Sequence, residues 1–208
     1  MNKPVLAIDF DDVIYPFSSE FLKYANSKLG VNKTLDDMVT YRLDTVYGVS
    51  YDKIVELIED FMADVRVAEF EPIKGSVEAL TKLKDEFSLH IVTARLDKYD
   101  EQTQLWLNKF FPGIFSGVHY CNFYALSPEN ASKITKLSKC KEIKAICLID
   151  DNVYNVLNVI KGGVDAVLFG DYAWHQELSE QSEYWALRVR GWEEFMDCYY
   201  FFLGDSLL

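Results

Sequence analysis

Long apolar runs are missing from this sequence. No stretch approaches the ~20 consecutive apolar residues that span a bilayer, and the nearest candidate, Cys198 to Leu203, is far too short, which argues against a membrane-spanning role. A leader pattern is missing too. Met1 to Pro4 run straight into an apolar segment with no charged region, long apolar region or small-residue cleavage site, so the mature chain is expected to start here and to work in the cytoplasm. Cysteine is sparse and unpaired in pattern: Cys121, Cys140, Cys147 and Cys198 form no Cys-x-x-Cys motif and have no nearby pair of histidines. That favours reduced thiols in core positions over a zinc site. Positive charge is short as well. Lys and Arg number 21 against 33 Asp and Glu, a formal net charge of −12, which repels a polyanion such as nucleic acid. A small phosphorylated metabolite remains compatible, because a metal ion and a few placed cations can make a local positive site on an acidic protein. Internal repeats, low-complexity segments and long linkers are absent.

What is present is enough for one sizeable core. Half of the 208 residues are hydrophobic, which suits a single domain with a small accessory lobe. Four short segments rich in β-branched residues read as buried parallel strands: Val5 to Ile8, Leu89 to Val92, Ile146 to Ile149 and Ala166 to Phe169. Val118 to Cys121 is a weaker fifth. Between them, Ser76 to Phe87 and Asp100 to Phe111 carry apolar residues at helical spacing. Strand alternating with helix predicts an α/β fold, a Rossmannoid three-layer sandwich around a parallel sheet. Tyr15 to Ile73 breaks the alternation: Phe21 to Leu29 and Ile54 to Met62 have helical patterns, and no strand is evident. It is expected to be a small inserted α-helical cap at residues 15–73, with the core formed by 1–14 and 74–208. The aromatic tail, Glu177 to Leu208, is expected to supply a helix packed on that core rather than a cofactor site.

In an open α/β sheet, ligands collect beyond the carboxyl ends of the strands. Three predicted strands end in reactive residues: the first in Asp9-Phe10-Asp11-Asp12, the second in Thr93-Ala94-Arg95, the third in Asp150-Asp151-Asn152. Each alone reads as a turn or helix cap. Together they place several carboxylates at one sheet edge, where they would repel one another unless a cation sits among them, and hard oxygen donors favour Mg²⁺.

This order of motifs resembles the haloacid dehalogenase superfamily of phosphohydrolases, and its details resemble the 5′(3′)-deoxyribonucleotidase branch over nearly the whole chain. The first motif, Asp-x-Asp-x-Thr/Val after a strand, is matched by Asp9, Asp11 and Val13. The resemblance implies that Asp9 is the nucleophile that forms an aspartyl-phosphate, and that Asp11 is the acid/base. The second motif resembles Ile91 to Arg95; it implies that the Thr93 hydroxyl and nearby backbone N–H groups hold a phosphoryl oxygen, with Ala94 and Arg95 beside the substrate. The fourth resembles Leu148 to Asp151. It implies that Asp150 ligates Mg²⁺ with Asp9 and the Asp11 backbone carbonyl, while Asp151 orients the ligands or binds through water. The branch is singled out by Phe111 to Phe115, His119 to Asn122, Cys140 to Ile143 and Phe169 to Trp174. The third motif is a lysine opening the helix before the metal-binding strand. Alignment favours Lys136, with Lys133 the alternative because Ser132 could cap a helix there.

Two positions depart from that pattern. Asp12 stands where the family often has Gly, and Asn152 stands where similar nucleotidases often have Arg, so one substrate contact is missing from the expected set. In the resembled family an insertion between the first and second motifs closes over the site. Phe17, eight residues after Asp9, would lie against a base, and stacking there would be worth ~1–3 kcal/mol. Tyr41, Tyr47 and Tyr51 are further candidates, and Arg42 and Arg66 could reach an anion. The expected activity is Mg²⁺-dependent hydrolysis of a nucleoside monophosphate. The alternatives are a phosphatase for another small ester and a nonenzymatic nucleotide-binding module; oligomeric state is not legible.

Overall fold

The computed structural model describes residues 3–121, 134–178 and 187–203. Among these residues six parallel strands form one sheet: β1 (Val5–Ile8), β2 (Ser88–Thr93), β3 (Phe115–Tyr120), β4 (Ala145–Asp150), β5 (Asp165–Phe169) and β6 (Leu187–Val189), in the order β3-β2-β1-β4-β5-β6. The helices are α1 (Phe17–Leu29), α2 (Leu43–Tyr47), α3 (Tyr51–Met62), α4 (Ser76–Leu83), α5 (Asp100–Phe110), α6 (Lys136–Glu142), α7 (Val153–Lys161) and α8 (Trp192–Leu203).

Side chains alternate across the pleat, and the central strands are apolar on both faces because helices cover both. Leu6, Ile8, Leu89, Ile91, Cys147, Ile149, Val167 and Phe169 face one side, where residues of α4, α5 and α8 close the core. Ala7, Val92, Leu148, Ala166 and Leu168 face the other, packed by α6 and α7. Helix, sheet and helix therefore form three layers, as the strand pattern predicts. Between β1 and β2 the described chain is helical: α1, α2, α3, α4 and two 3-10 turns. The apolar faces of α1 and α3 (Phe21, Ala25, Ile54, Leu57, Phe61) join the first of those two clusters. Gln102 and Trp106 of α5 donate hydrogen bonds to the carbonyls of Met62 and Phe70, at 2.9 and 2.8 Å.

Three elements differ from expectation. The aromatic tail is not one helix: β6 adds a sixth strand at the sheet edge before α8, and a three-residue Leu-Arg-Val segment is too short to show a period. Trp192, Phe195 and Tyr199 of α8 do pack on the core. Helix α4 stops at Leu83, and Phe87 reaches the core from the following turn, so its apolar side chain falls in register without being helical. The weak strand candidate at Val118 to Cys121 is the end of β3, which begins earlier, at Phe115; its half-buried edge position weakens the apolar signal.

Candidate active site

Strand order reverses direction between β1 and β4, which creates a crevice at their carboxyl ends. Asp9 follows β1 directly, Thr93 and Asp150 end β2 and β4, and all three are buried. Strands β2 and β4 flank β1 directly, so the three strand ends that stood out in the sequence are neighbours in the sheet.

Lys136 joins two of them. Thr135 and Ser138 form a reciprocal capping box at the start of α6, with Ser138 N–H on Thr135 Oγ1 at 3.0 Å and Thr135 N–H on Ser138 Oγ at 2.9 Å. That cap makes Lys136 the first helical residue and aims its buried side chain inward. Its Nζ lies 2.7 Å from Asp9 Oδ2 and 2.6 Å from Asp150 Oδ2. Burial works against the ammonium, but Asp150 and Asp9 outweigh it and hold Lys136 charged. The other oxygens are held as well. Phe10 N–H donates to Asp9 Oδ1 at 2.7 Å, and Asn152 N–H donates to Asp150 Oδ1 at 2.9 Å. Asn155 Nδ2 reaches Asp150 Oδ1 at 3.1 Å. Lys133 lies outside the described residues.

Asp9, Asp150 and Asp151 each offer a carboxylate oxygen, and the three atoms lie within 4.8 Å of one another. Negative charge is in excess there. Burial, then Asp150 and Asp11, push the Asp9 carboxyl up to about 8 against the pull of Lys136. Burial and the neighbouring Asp12, Asp150 and Asp9 drive Asp151 well above the carboxylate range. A divalent cation among these hard oxygens would offset that excess, so the donor set fits Mg²⁺.

Asp11 is treated differently. Arg95 grips it with Nε at 2.9 Å from Oδ2 and Nη2 at 2.7 Å from Oδ1. Thr93 Oγ1 accepts the Arg95 backbone N–H at 3.1 Å, which leaves the hydroxyl hydrogen to be donated. Ala94 sits half-buried between them.

The departing residue Asp12 has a left-handed backbone, φ 57°. That conformation favours Gly, and Asp tolerates it better than most side chains. Its carboxylate accepts Ser18 N–H at 2.9 Å and the Ser18 hydroxyl at 2.5 Å, tying the β1 loop to the first turn of α1. Burial pushes Asp12 up to about 7, against those two bonds. The second departure, Asn152, caps α7, its Oδ1 accepting Tyr154 N–H at 3.0 Å and Asn155 N–H at 3.2 Å. It has a structural task at the position where the resemblance led us to expect Arg.

Phe17 opens α1, half-buried and stacked on Phe21 at 5.5 Å, with Phe61 edge-on at 5.8 Å. Tyr41, considered above as a base contact, donates its hydroxyl to the Asp151 carbonyl at 2.6 Å. His175 Nε2 meets the same carbonyl at 2.7 Å and must carry the proton there. Tyr172 donates to the Asp12 carbonyl at 2.7 Å. The sequence reading missed Tyr172 and His175 as supports; Phe169 to Trp174 stood out as a resemblance, yet nothing local says that it folds back onto both aspartate loops. Tyr47 keeps its hydroxyl buried, and Tyr51 is exposed. Arg42 and Arg66 pair with Asp44 and Asp64 at the surface. The four cysteines are free thiols, with Cys140 and Cys147 fully buried. Among the described residues no helix is long and apolar enough to cross a membrane.

Comparison with known proteins bears on the fold and the family. An uncharacterized 32.4 kDa protein of Enterobacteria phage T4 is 29% identical over 157 residues, 72% of this chain and 54% of the relative, so the chain spans about half the length of that curated relative. A haloacid dehalogenase-like family hydrolase from Streptococcus pneumoniae superposes with TM-score 0.64 at 15% identity, covering 95% of this chain and 98% of the other. The magnesium-bound YfnB protein of Bacillus subtilis superposes with TM-score 0.56 at 14% identity, over 98% and 100%. At such identities the two structures speak for the fold alone. The model of the family described as 5′ nucleotidase, deoxy (Pyrimidine), cytosolic type C protein matches residues 3–197. A match over that span settles kinship: the chain belongs to this 5′ nucleotidase family.

Proposed function

We propose that the protein is a Mg²⁺-dependent phosphomonoester hydrolase acting on nucleoside monophosphates, deoxynucleotides above all, through an aspartyl-phosphate on Asp9. The observation that carries this reading is the buried junction of Asp9, Lys136 and Asp150 at the ends of two adjacent strands. Mg²⁺, held by Asp9, Asp150 and the Asp11 backbone carbonyl with Asp151 alongside, would supply the positive charge that the phosphate and the carboxylates both need.

The chain's own residues divide the rest of the work. Lys136 and Phe10 N–H fix the Asp9 carboxylate. Thr93 and nearby backbone N–H groups hold a phosphoryl oxygen. An Asp9 oxygen attacks phosphorus, the ester P–O bond breaks, and the departing alkoxide takes a proton from Asp11. Asp11 then accepts a proton from water as that water attacks the aspartyl-phosphate, releasing inorganic phosphate and restoring both carboxyls. Residues 15–73 form the cap that closes over this centre, with Phe17 against the base. Four free thiols and the cytosolic type of the family support a reducing, cytoplasmic setting.

One observation favours a second reading, a phosphatase for another small ester: Asn152 caps α7 and offers no cation to a nucleotide. Phosphate release from a panel of nucleoside monophosphates and sugar phosphates, with and without Mg²⁺, separates the two. Deoxynucleotides should be hydrolysed fastest and only with the metal; faster turnover of sugar phosphates would favour the second reading. Retained turnover in Asp9→Asn protein would overturn the mechanism, and nucleotide binding without phosphate release at saturating Mg²⁺ would point to a binding module.

A further inference from the structure

Arg95 was expected beside the substrate, but each nitrogen of its guanidinium already has a protein partner. It is 6% exposed. Nε and Nη2 are taken by Asp11, and Nη1 donates to Thr103 Oγ1 at 3.2 Å. Thr103 is anchored in turn on the Tyr99 carbonyl at 2.9 Å. Aromatic rings pack on it as well: the Phe10 and Tyr15 rings lie 4.2 and 4.5 Å from the guanidinium carbon and 5.2 Å from each other, which puts them side by side rather than on opposite faces. A planar cation packed against aromatic faces and held by a fork cannot swivel toward a phosphate without losing every one of these contacts. Asp11, by contrast, keeps 27% of its side chain exposed, so the edge away from the fork is open.

We infer that Arg95 is a positioning residue for the acid/base Asp11: it presents the carboxyl to the leaving oxygen and makes no substrate contact itself. This rests on the phosphatase reading above. The fork fixes the carboxylate plane of a residue that sits on a loop, between Asp9 and the left-handed Asp12. Misplacing a proton donor by about an ångström can cost on the order of a hundredfold in rate.

Leaving-group dependence tests it. A nucleoside monophosphate leaves as a basic alkoxide that needs a proton, whereas 2,4-dinitrophenolate leaves without one. The ratio kcat/KM covers binding through departure of the alcohol, so later hydrolysis of the aspartyl-phosphate does not enter. With the full chain and saturating Mg²⁺, Arg95→Lys should lose about tenfold or more in kcat/KM on the nucleotide and less than about threefold on 2,4-dinitrophenyl phosphate. Thr103→Val, which loosens Arg95 from behind, should show the same asymmetry at smaller size and decides the matter if Arg95→Lys does not fold. Equal losses on both esters, carried in KM, would make Arg95 a phosphate contact and overturn the inference; no loss on either would do the same. Asp11→Asn is the control for the underlying reading. If it too shows no leaving-group dependence, the acid/base assignment fails; if it shows it and the Arg95 and Thr103 variants do not, only the positioning role fails.

Discussion

The two buried cations of the site are used in opposite ways. Arg95 serves one carboxylate, Asp11, with a fork that satisfies it. Lys136 is shared between Asp9 and Asp150, with Asp151 close by and, among the described residues, no ammonium of its own. One node is electrostatically complete. The other is short of positive charge, and the raised Asp9 and Asp151 carboxyls are the physical sign of the shortfall. A guanidinium suits the first because its planar donors fix an orientation; an ammonium suits the second because a compact point charge can stand between two oxygens and leave their remaining lone pairs for a metal.

The sharpest way to break this contrast is to remove the shared cation. Lys136→Met leaves Asp9 and Asp150 buried with no counter-charge, and breaking such a pair typically costs about 3–5 kcal/mol. Denaturant melts in chelator should show that loss, and phosphate release should fall below detection. If saturating Mg²⁺ recovers much of the lost stability, the node is a charge-deficient metal site. If the variant is as stable as the parent in chelator, the three carboxyls are already neutral and the contrast with the Arg95 node disappears.

The pH dependence follows with a definite sign. The ordinary carboxyl value is 3.8, and Asp9 is pushed up to about 8. Between these limits the folded chain holds a proton that the unfolded chain has released, so the stability of metal-free protein falls as pH rises from about 4 to about 8. A cation must displace that proton, so Mg²⁺ affinity rises with pH, by up to about tenfold per pH unit for each proton displaced. The gap in Tm between Mg²⁺ and chelator should therefore be wider at pH 8 than at pH 6; equal gaps would show that the carboxyls are ionised at both.

Sequence made the Lys136 node more legible than the Arg95 node, for a physical reason. Apolar runs ending in Asp9, Thr93 and Asp150 mark strand ends, and a parallel sheet brings strand ends to one edge whatever the details. A Lys opening a helix before the last of them was legible only through the resemblance, and the choice of Lys136 over Lys133 through alignment with it. The partner of Arg95 lies 84 residues away, and its packing against Phe10 and Tyr15 depends on how the β1 loop turns at Asp12, which no period encodes. Tyr41, Tyr172 and His175 were opaque for the same reason: each donates to a backbone carbonyl on a distant loop, and every residue has a carbonyl. The strand β6 was missed because three residues carry no pattern.

Smaller effects test the backbone that carries each node. On the Asp11 side, Asp12→Ala removes both bonds to Ser18 and leaves a β-carbon at φ 57° without the side-chain compensation of Asp, which should cost about 1–2 kcal/mol. Asp12→Gly should cost less, because only the hydrogen bonds go and the turn is relaxed. A larger loss for Gly than for Ala in urea melts would mean that the turn is not strained.

On the Asp150 side, Asn152→Ala deletes the acceptor for the first N–H groups of α7, a loss of about 1 kcal/mol. Its own N–H still donates to Asp150 Oδ1, and the Asn155 amide still reaches the same carboxylate. Stability should therefore drop while Mg²⁺ affinity, read by calorimetry, changes by less than about threefold. A much larger fall in affinity would show that Asp150 depends on the α7 cap for its position, and the Lys136 node would then be held by its surrounding backbone as tightly as Arg95 holds Asp11.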